Sequence, residues 1–189
     1  MRKYASLKEQ VRFNEKYSIV PIREKDKYII MHMRNAQIFH LRQQKLLTRT
    51  IQDVYFAEVI SKLFDAQQPN QILFSFLYNN VCIGYGGLVH INWVDKHAEI
   101  SFIIKPEMEE KYFSSCWKSF LSMIQLVAFE DIMLHKIFTY AFDLRPNLYS
   151  VVESCGFYKE AVLKEHCFIE DKFIDVVIHS KIYEYPNYT

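Results

Sequence analysis

The 189-residue sequence predicts one α/β domain built on a mixed, mostly antiparallel central sheet with helices on both faces. Three observations predict it. Strand-period and helix-period hydrophobic patterns follow one another in the order β α α β β β α β α β β. Two alternating strands at 81–104 are separated by only a tight turn, which makes them antiparallel. Half of the residues are hydrophobic and 16% are aromatic, enough to bury a sizeable core and to exclude a disordered chain.

The elements follow in order. Residues 1–16 are polar and read as an N-terminal arm, with a single domain over 17–189. "YSIVPI" (17–22) is a strand. Asp26 caps a helix to about Phe39, with Ile29, Ile30, Met33 and Gln37 along one side. "FHLRQQKLLT" (39–48) is an irregular connection. Thr50-x-x-Asp53 reads as a capping box, followed by a stripe of Ile51, Val54, Tyr55, Val59 and Leu63 that Pro69-Asn70 ends. Strands at 72–78 and 81–93 flank a turn at Asn79-Asn80, and another strand covers 97–104. Phe113, Trp117, Phe120, Ile124, Val127 and Ala128 mark a helix over about 113–131. A strand at 136–142, a helix at 146–154 stopped by Gly156, and strands at 160–169 and 173–183 complete the chain.

Bulk properties exclude several functions. Lys and Arg (23) balance Asp and Glu (22), so no basic footprint for nucleic acid or an anionic membrane exists. No apolar run is long enough to span a bilayer. The N-terminal stretch has no apolar signal core, and the four cysteines fall in no metal or redox spacing. A cytoplasmic protein without a bound metal is the expectation.

Chemistry concentrates in 81–104. Tyr85, Val89, Ile91 and Trp93 alternate on one face, as do Ala98, Ile100, Phe102 and Ile104. Matching these faces places His90 and Asn92 beside Glu99 and Ser101, with the turn at Val94-Asp95 or Asp95-Lys96. Gly84, Gly86 and Gly87 next to these polar groups leave room for a ligand, or the face is merely solvated.

"IGYGGL", "AEISFII", "VAFEDIMLHKI", "VVESCGFYKEAVL" and "DKFIDVVIHSKI", in that order, resemble the GNAT superfamily of acetyl-CoA-dependent N-acetyltransferases over residues 17–183. The resemblance implies an acyl-CoA N-acyltransferase fold whose strands 97–104 and 136–142 splay to admit the pantetheine arm, with main-chain contacts from Ile103, Ile104 and Lys105. The pyrophosphate motif falls on Glu110 to Ser115, where a helix N-terminus attracts anions. Phe113 stands where the family has glycine, and Glu107, Glu109 and Glu110 crowd the turn. Lys111, Ser114 and Ser115 are the contacts that remain there. Arg145 replaces the family's asparagine and is a candidate for binding a cofactor phosphate. Val152 replaces the usual tyrosine acid, so Tyr149, one turn earlier, is the candidate proton donor.

For amide formation a base must remove the ammonium proton. Glu99 is the first candidate and His90 the alternative. Arg34, Asn35, Arg42, Tyr85 and Asn92 are the candidate acceptor contacts. Met33-Arg34-Asn35 followed by Leu41-Arg42-Gln43 resembles the branch that acetylates amino-sugar nucleotides in surface-polysaccharide synthesis. The alternatives are a protein N-terminal acetyltransferase and a non-catalytic GNAT-fold binding module. A small-molecule amine is the expected partner, and a homodimer is compatible with the fold.

Overall fold

The computed structural model describes residues 2–184; the last positions of the expected domain, 185–189, lie outside them. The strands are β1 (Arg12–Asn14), β2 (Tyr17–Pro21), β3 (Ile72–Tyr78), β4 (Val81–Asn92), β5 (His97–Ile104), β6 (Lys136–Phe142), β7 (Tyr158–Ile169) and β8 (Lys172–Ile182). They form one eight-stranded sheet in the order β1-β2-β3-β4-β5-β6-β8-β7. Every neighbouring pair is antiparallel except β5 with β6.

Helices α1 (Lys27–Ala36), α2 (Arg49–Tyr55), α3 (Ser61–Leu63), α4 (Pro106–Leu126) and α5 (Asn147–Ser154) cover the sheet. Strand alternation separates its two faces. On one, Phe102 stacks on Phe120 of α4 with ring centroids 3.8 Å apart. On the other, the Tyr85 hydroxyl accepts a hydrogen bond from Arg34 of α1. The expected 1–16 arm carries β1 and buries Tyr4, whose hydroxyl donates to the Leu73 carbonyl at 2.8 Å.

Several sequence expectations shift. Asp26 precedes α1 but caps nothing, because its carboxylate is held by Arg23 at 2.6 and 3.0 Å. The cap of α2 is Thr48, which accepts from the Ile51 amide, and not Thr50. α2 runs through a π-helical turn at Phe56–Ile60 into α3, and the buried stripe is Phe56, Ile60, Leu63 and Phe64. Ile51, Val54 and Val59 of the expected stripe are exposed. The added residue of a π turn rotates the inward face and breaks the simple helical period.

The hairpin of β4 and β5 also changes phase. Val89 pairs with Glu99, Asn92 pairs with His97, and His90 sits between in a bulge at φ 51°. One extra residue reverses the alternation on its N-terminal side. Tyr85, Gly87 and Val89 therefore share a face with Glu99, Ser101 and Ile103, not with the Ile100–Phe102 face expected. The turn is the four-residue stretch 93–96, longer than either tight turn expected. The glycines serve strand approach and do not make ligand room: a Cβ at Gly86 would strike the Ser101 carbonyl, and one at Gly87 the Ile72 carbonyl.

Candidate active site

The cleft begins where β5 and β6 stop pairing. Their parallel ladder runs only from His97 opposite Lys136 to Ile100 opposite Thr139. Beyond it, residues 101–104 and 140–142 part, while each stays bound to its antiparallel neighbour. The Lys105 amide donates to the Ile83 carbonyl on the β4 side at 2.8 Å. By alternation, Ile103 and Lys105 turn their main-chain groups to β4, and Phe102 and Ile104 turn theirs to the gap. The Ile104 carbonyl accepts from Gln37 Nε2 at 2.8 Å. Of the three residues expected to offer main-chain contacts, only Ile104 turns its amide to the gap, beside Phe102, while Lys105 faces β4 and Ile103 lines the cleft with its side chain.

The gap opens into a cavity of about 360 Å³ lined by Arg34, Arg42, Glu99, Trp117, Tyr140 and Arg145, among others. Glu99 is 6% exposed. Its carboxylate is paired with Arg42, and His90 Nε2 lies 4.0 Å away. Burial holds its pKa above the ordinary carboxylate value, against the pull of Arg42 and His90. The Arg42 guanidinium also lies over the Tyr140 ring, 4.6 Å from its centroid. Burial pushes the Tyr140 hydroxyl up to about 12, so it carries its proton at neutral pH.

At the other end of the cleft, His40 Nε2 meets Gln37 Oε1 at 3.2 Å, and Arg145 approaches His40 Nδ1 at 3.4 Å. Burial and the Arg145 charge push His40 down to about 4, so the imidazole is neutral. Arg145 is ion-paired with Glu109 and lies over the Phe113 ring. The cation expected to be free for a phosphate is therefore engaged by an acid.

The stretch read as an acidic turn is helix. Pro106 takes the first position of α4, and Glu107 and Glu109 occupy its first turn, where the helix dipole favours acids. Only Tyr112 departs from helical geometry, at φ −129° and ψ 18°. Lys111 and Ser114 are exposed and outside the cleft lining. The Ser115 hydroxyl meets Tyr17 at 3.1 Å beside β2. None of the three reaches the gap.

Other candidates organise loops. Asn35 Oδ1 accepts from the Leu47 amide and Gln43 Nε2, and its Nδ2 donates to the Leu47 carbonyl. It pins the 39–47 connection over the sheet. Asn92 Oδ1 accepts from the amides of Val94 and Asp95, shaping the hairpin turn. Tyr149 donates to Asp143 at 2.7 Å, stacks on His179, and is absent from the cleft lining. Three groups were missed. Phe102 and Trp117 read as core, because helical and strand periods register the ring and not where a polar group aims. Tyr140 sat in a strand with no mark of the gap. Trp117 is buried in the cleft wall, and its Nε1–H has no hydrogen-bond partner among the described residues.

A pantetheine-like arm suits this gap, which offers the open edge of β5 and the buried Trp117 ring in its wall. The phosphate end lacks the glycine cradle. A mixed sheet parted at its one parallel junction beside a buried carboxylate defines the acetyl-CoA-dependent N-acetyltransferase class. The chain belongs to the acetyltransferase (GNAT) domain family, whose model matches residues 19–178. It is 32% identical over 94 residues to the spermidine N(1)-acetyltransferase of Vibrio cholerae. That stretch covers 50% of this chain and 53% of the relative, so the match spans about half the relative's length. The crystal structure of V. cholerae spermidine N-acetyltransferase with CoA and spermine superposes with a TM-score of 0.76 at 21% identity, covering 89% of this chain and 96% of that one. A dodecameric form of that enzyme gives 0.73 at 21% identity, covering 89% and 95%. At this identity the likeness is one of fold.

Proposed function

We propose that the protein moves an acetyl group from acetyl-CoA to the amine of a small acceptor. The observation that carries the reading is the parting of β5 and β6 directly beyond Glu99. Acetyl-CoA supplies an activated thioester; the amine nitrogen bonds to the acetyl carbon, the carbon–sulfur bond breaks, and the sulfur takes a proton. Glu99 accepts the ammonium proton, a role suited to a carboxyl whose pKa burial has raised. His90, with its ring largely in solvent, relays that proton outward. Tyr140, which lines the gap and whose hydroxyl meets Cys167 Sγ at 3.6 Å, delivers the proton to sulfur and takes in its place the proton the nitrogen sheds as the amide forms. Phe102 and Trp117 hold the arm.

Two acceptors compete. The named relatives favour a polyamine. The sequence around Arg34 and Arg42 favours an amino-sugar nucleotide. The cytoplasm, where the four free cysteines stay reduced, and assembly of several copies complete the proposal. A thermal-shift series with acetyl-CoA, followed by thiol release with an amine panel, tests it. Acetyl-CoA should raise the melting temperature, because a ligand of the folded state stabilises by mass action. No shift at millimolar acetyl-CoA overturns the proposal. A shift without thiol release from any amine leaves the binding-module reading, and release only with peptides leaves the N-terminal acetyltransferase.

A further inference from the structure

We infer that Arg34 is a receptor for an oxyanion on the acceptor, so that the substrate is an amine carrying a phosphate or carboxylate and not a polyamine. The inference rests on the acetyl-transfer reading of the cleft. Arg34 projects from α1 between two adjoining cavities, the cleft itself and a second space of about 250 Å³ under α1 and α2. Its Nε donates to Gln43 Oε1 at 2.9 Å and its Nη1 to the Tyr85 hydroxyl at 2.5 Å. Both partners are neutral. Among the described residues no carboxylate pairs with Arg34. No Asp or Glu lines the second cavity. Glu99 is the carboxylate of the first, and Arg42 holds it.

A half-buried guanidinium with neutral partners only is an unusual arrangement, since withdrawn cations are normally paired. Gln43 and Tyr85 fix the plane of the group and leave Nη2 without a hydrogen-bond partner among the described residues, the fork geometry that planar oxyanions match. A polyamine brings further positive charge to this wall and finds no acid there. Arg34 also lines the cleft, so the test fills the CoA sites first; the second cavity draws its lining chiefly from α1, α2, β3, β4 and Ser101 of β5, with nothing from β6 across the gap.

The test uses the full chain with Arg34→Gln and Arg34→Lys, saturated with CoA so that its own phosphate sites are filled. Thermal shift is read with pyrophosphate, glucosamine 6-phosphate, glycylglycine and spermidine, and turnover is read with the three amines. Protection of the parent by pyrophosphate and glucosamine 6-phosphate assigns a phosphate; protection by glycylglycine assigns a carboxylate. Arg34→Gln should abolish that protection and raise KM for the responding amine about tenfold or more, with kcat changed far less. Arg34→Lys, which keeps the charge, should retain part of it and carries the test if Arg34→Gln does not fold. Protection by spermidine alone, anion protection that survives Arg34→Gln, or equal loss of acetyl-CoA binding in the variant each overturns the inference. Anion protection lost in Arg34→Gln, with no response of the parent to acetyl-CoA, keeps the anion site and removes the transfer reading.

Discussion

With Glu99 as the proposed base, its pairing with Arg42 governs the expected pH response. Arg42 holds the Glu99 pKa down against burial, so removing it must raise that pKa. Arg42→Gln should move the acidic limb of the kcat/KM profile to higher pH; a shift the other way, or none, removes Glu99 as the base. Glu99→Gln should lower kcat about 10²–10⁴-fold with the acetyl-CoA thermal shift intact. Trp117→Phe keeps the ring and loses the partnerless N–H. Removing a buried donor without a partner should leave the unliganded melting temperature unchanged or raise it slightly, by about 1 kcal/mol at most, as read by thermal scan; a clear fall would show that the N–H has a partner. That Glu99 and His90 lie near each other was legible from the hairpin pattern, and the base role for Glu99 came from its strand's place in the family resemblance. Trp117 was not legible, since a helical stripe records that an indole faces inward but not that it lines a cleft.

Two elements show where local pattern decides and where contact does. Thr48 caps α2 through the Ile51 amide, while Thr50 lies inside the helix and exposed. Thr48→Ala should cost about 1 kcal/mol, seen as a fall of about 2–4 °C in Tm, with Thr50→Ala near neutral. A methyl at Gly86 meets the Ser101 carbonyl and the Phe102 backbone. Gly86→Ala should destabilise by about 1–3 kcal/mol or more in urea unfolding, because neither strand can yield without breaking its ladder. The paired asparagines at 79 and 80, both at positive φ, formed the turn their identity announces. The His90 bulge was invisible to alternation, since one inserted residue reverses the phase without changing a single letter nearby. The glycines looked like space for a ligand because spacing cannot tell a vacancy from another strand's backbone.

At the scale of the molecule, the order of strands and helices was readable from hydrophobic period, but the parting of β5 from β6 was foreseen only through family resemblance. Ladder pairing joins residues some forty positions apart, and no local pattern records where it stops. Acetyl-CoA should slow amide exchange at Phe102 and Ile104, whose amides face the gap, while leaving 72–78, already zipped on both sides, unchanged. Equal slowing in both segments would mean global stabilisation and no specific seat. The four-residue seam at 97–100 makes the sheet a book with two stiff covers and a short spine. An extended molecule slotted between the covers does for them what a ninth strand would. The catalyst is then least sturdy between turnovers, and its lifespan in a cell would follow the supply of the compound it consumes.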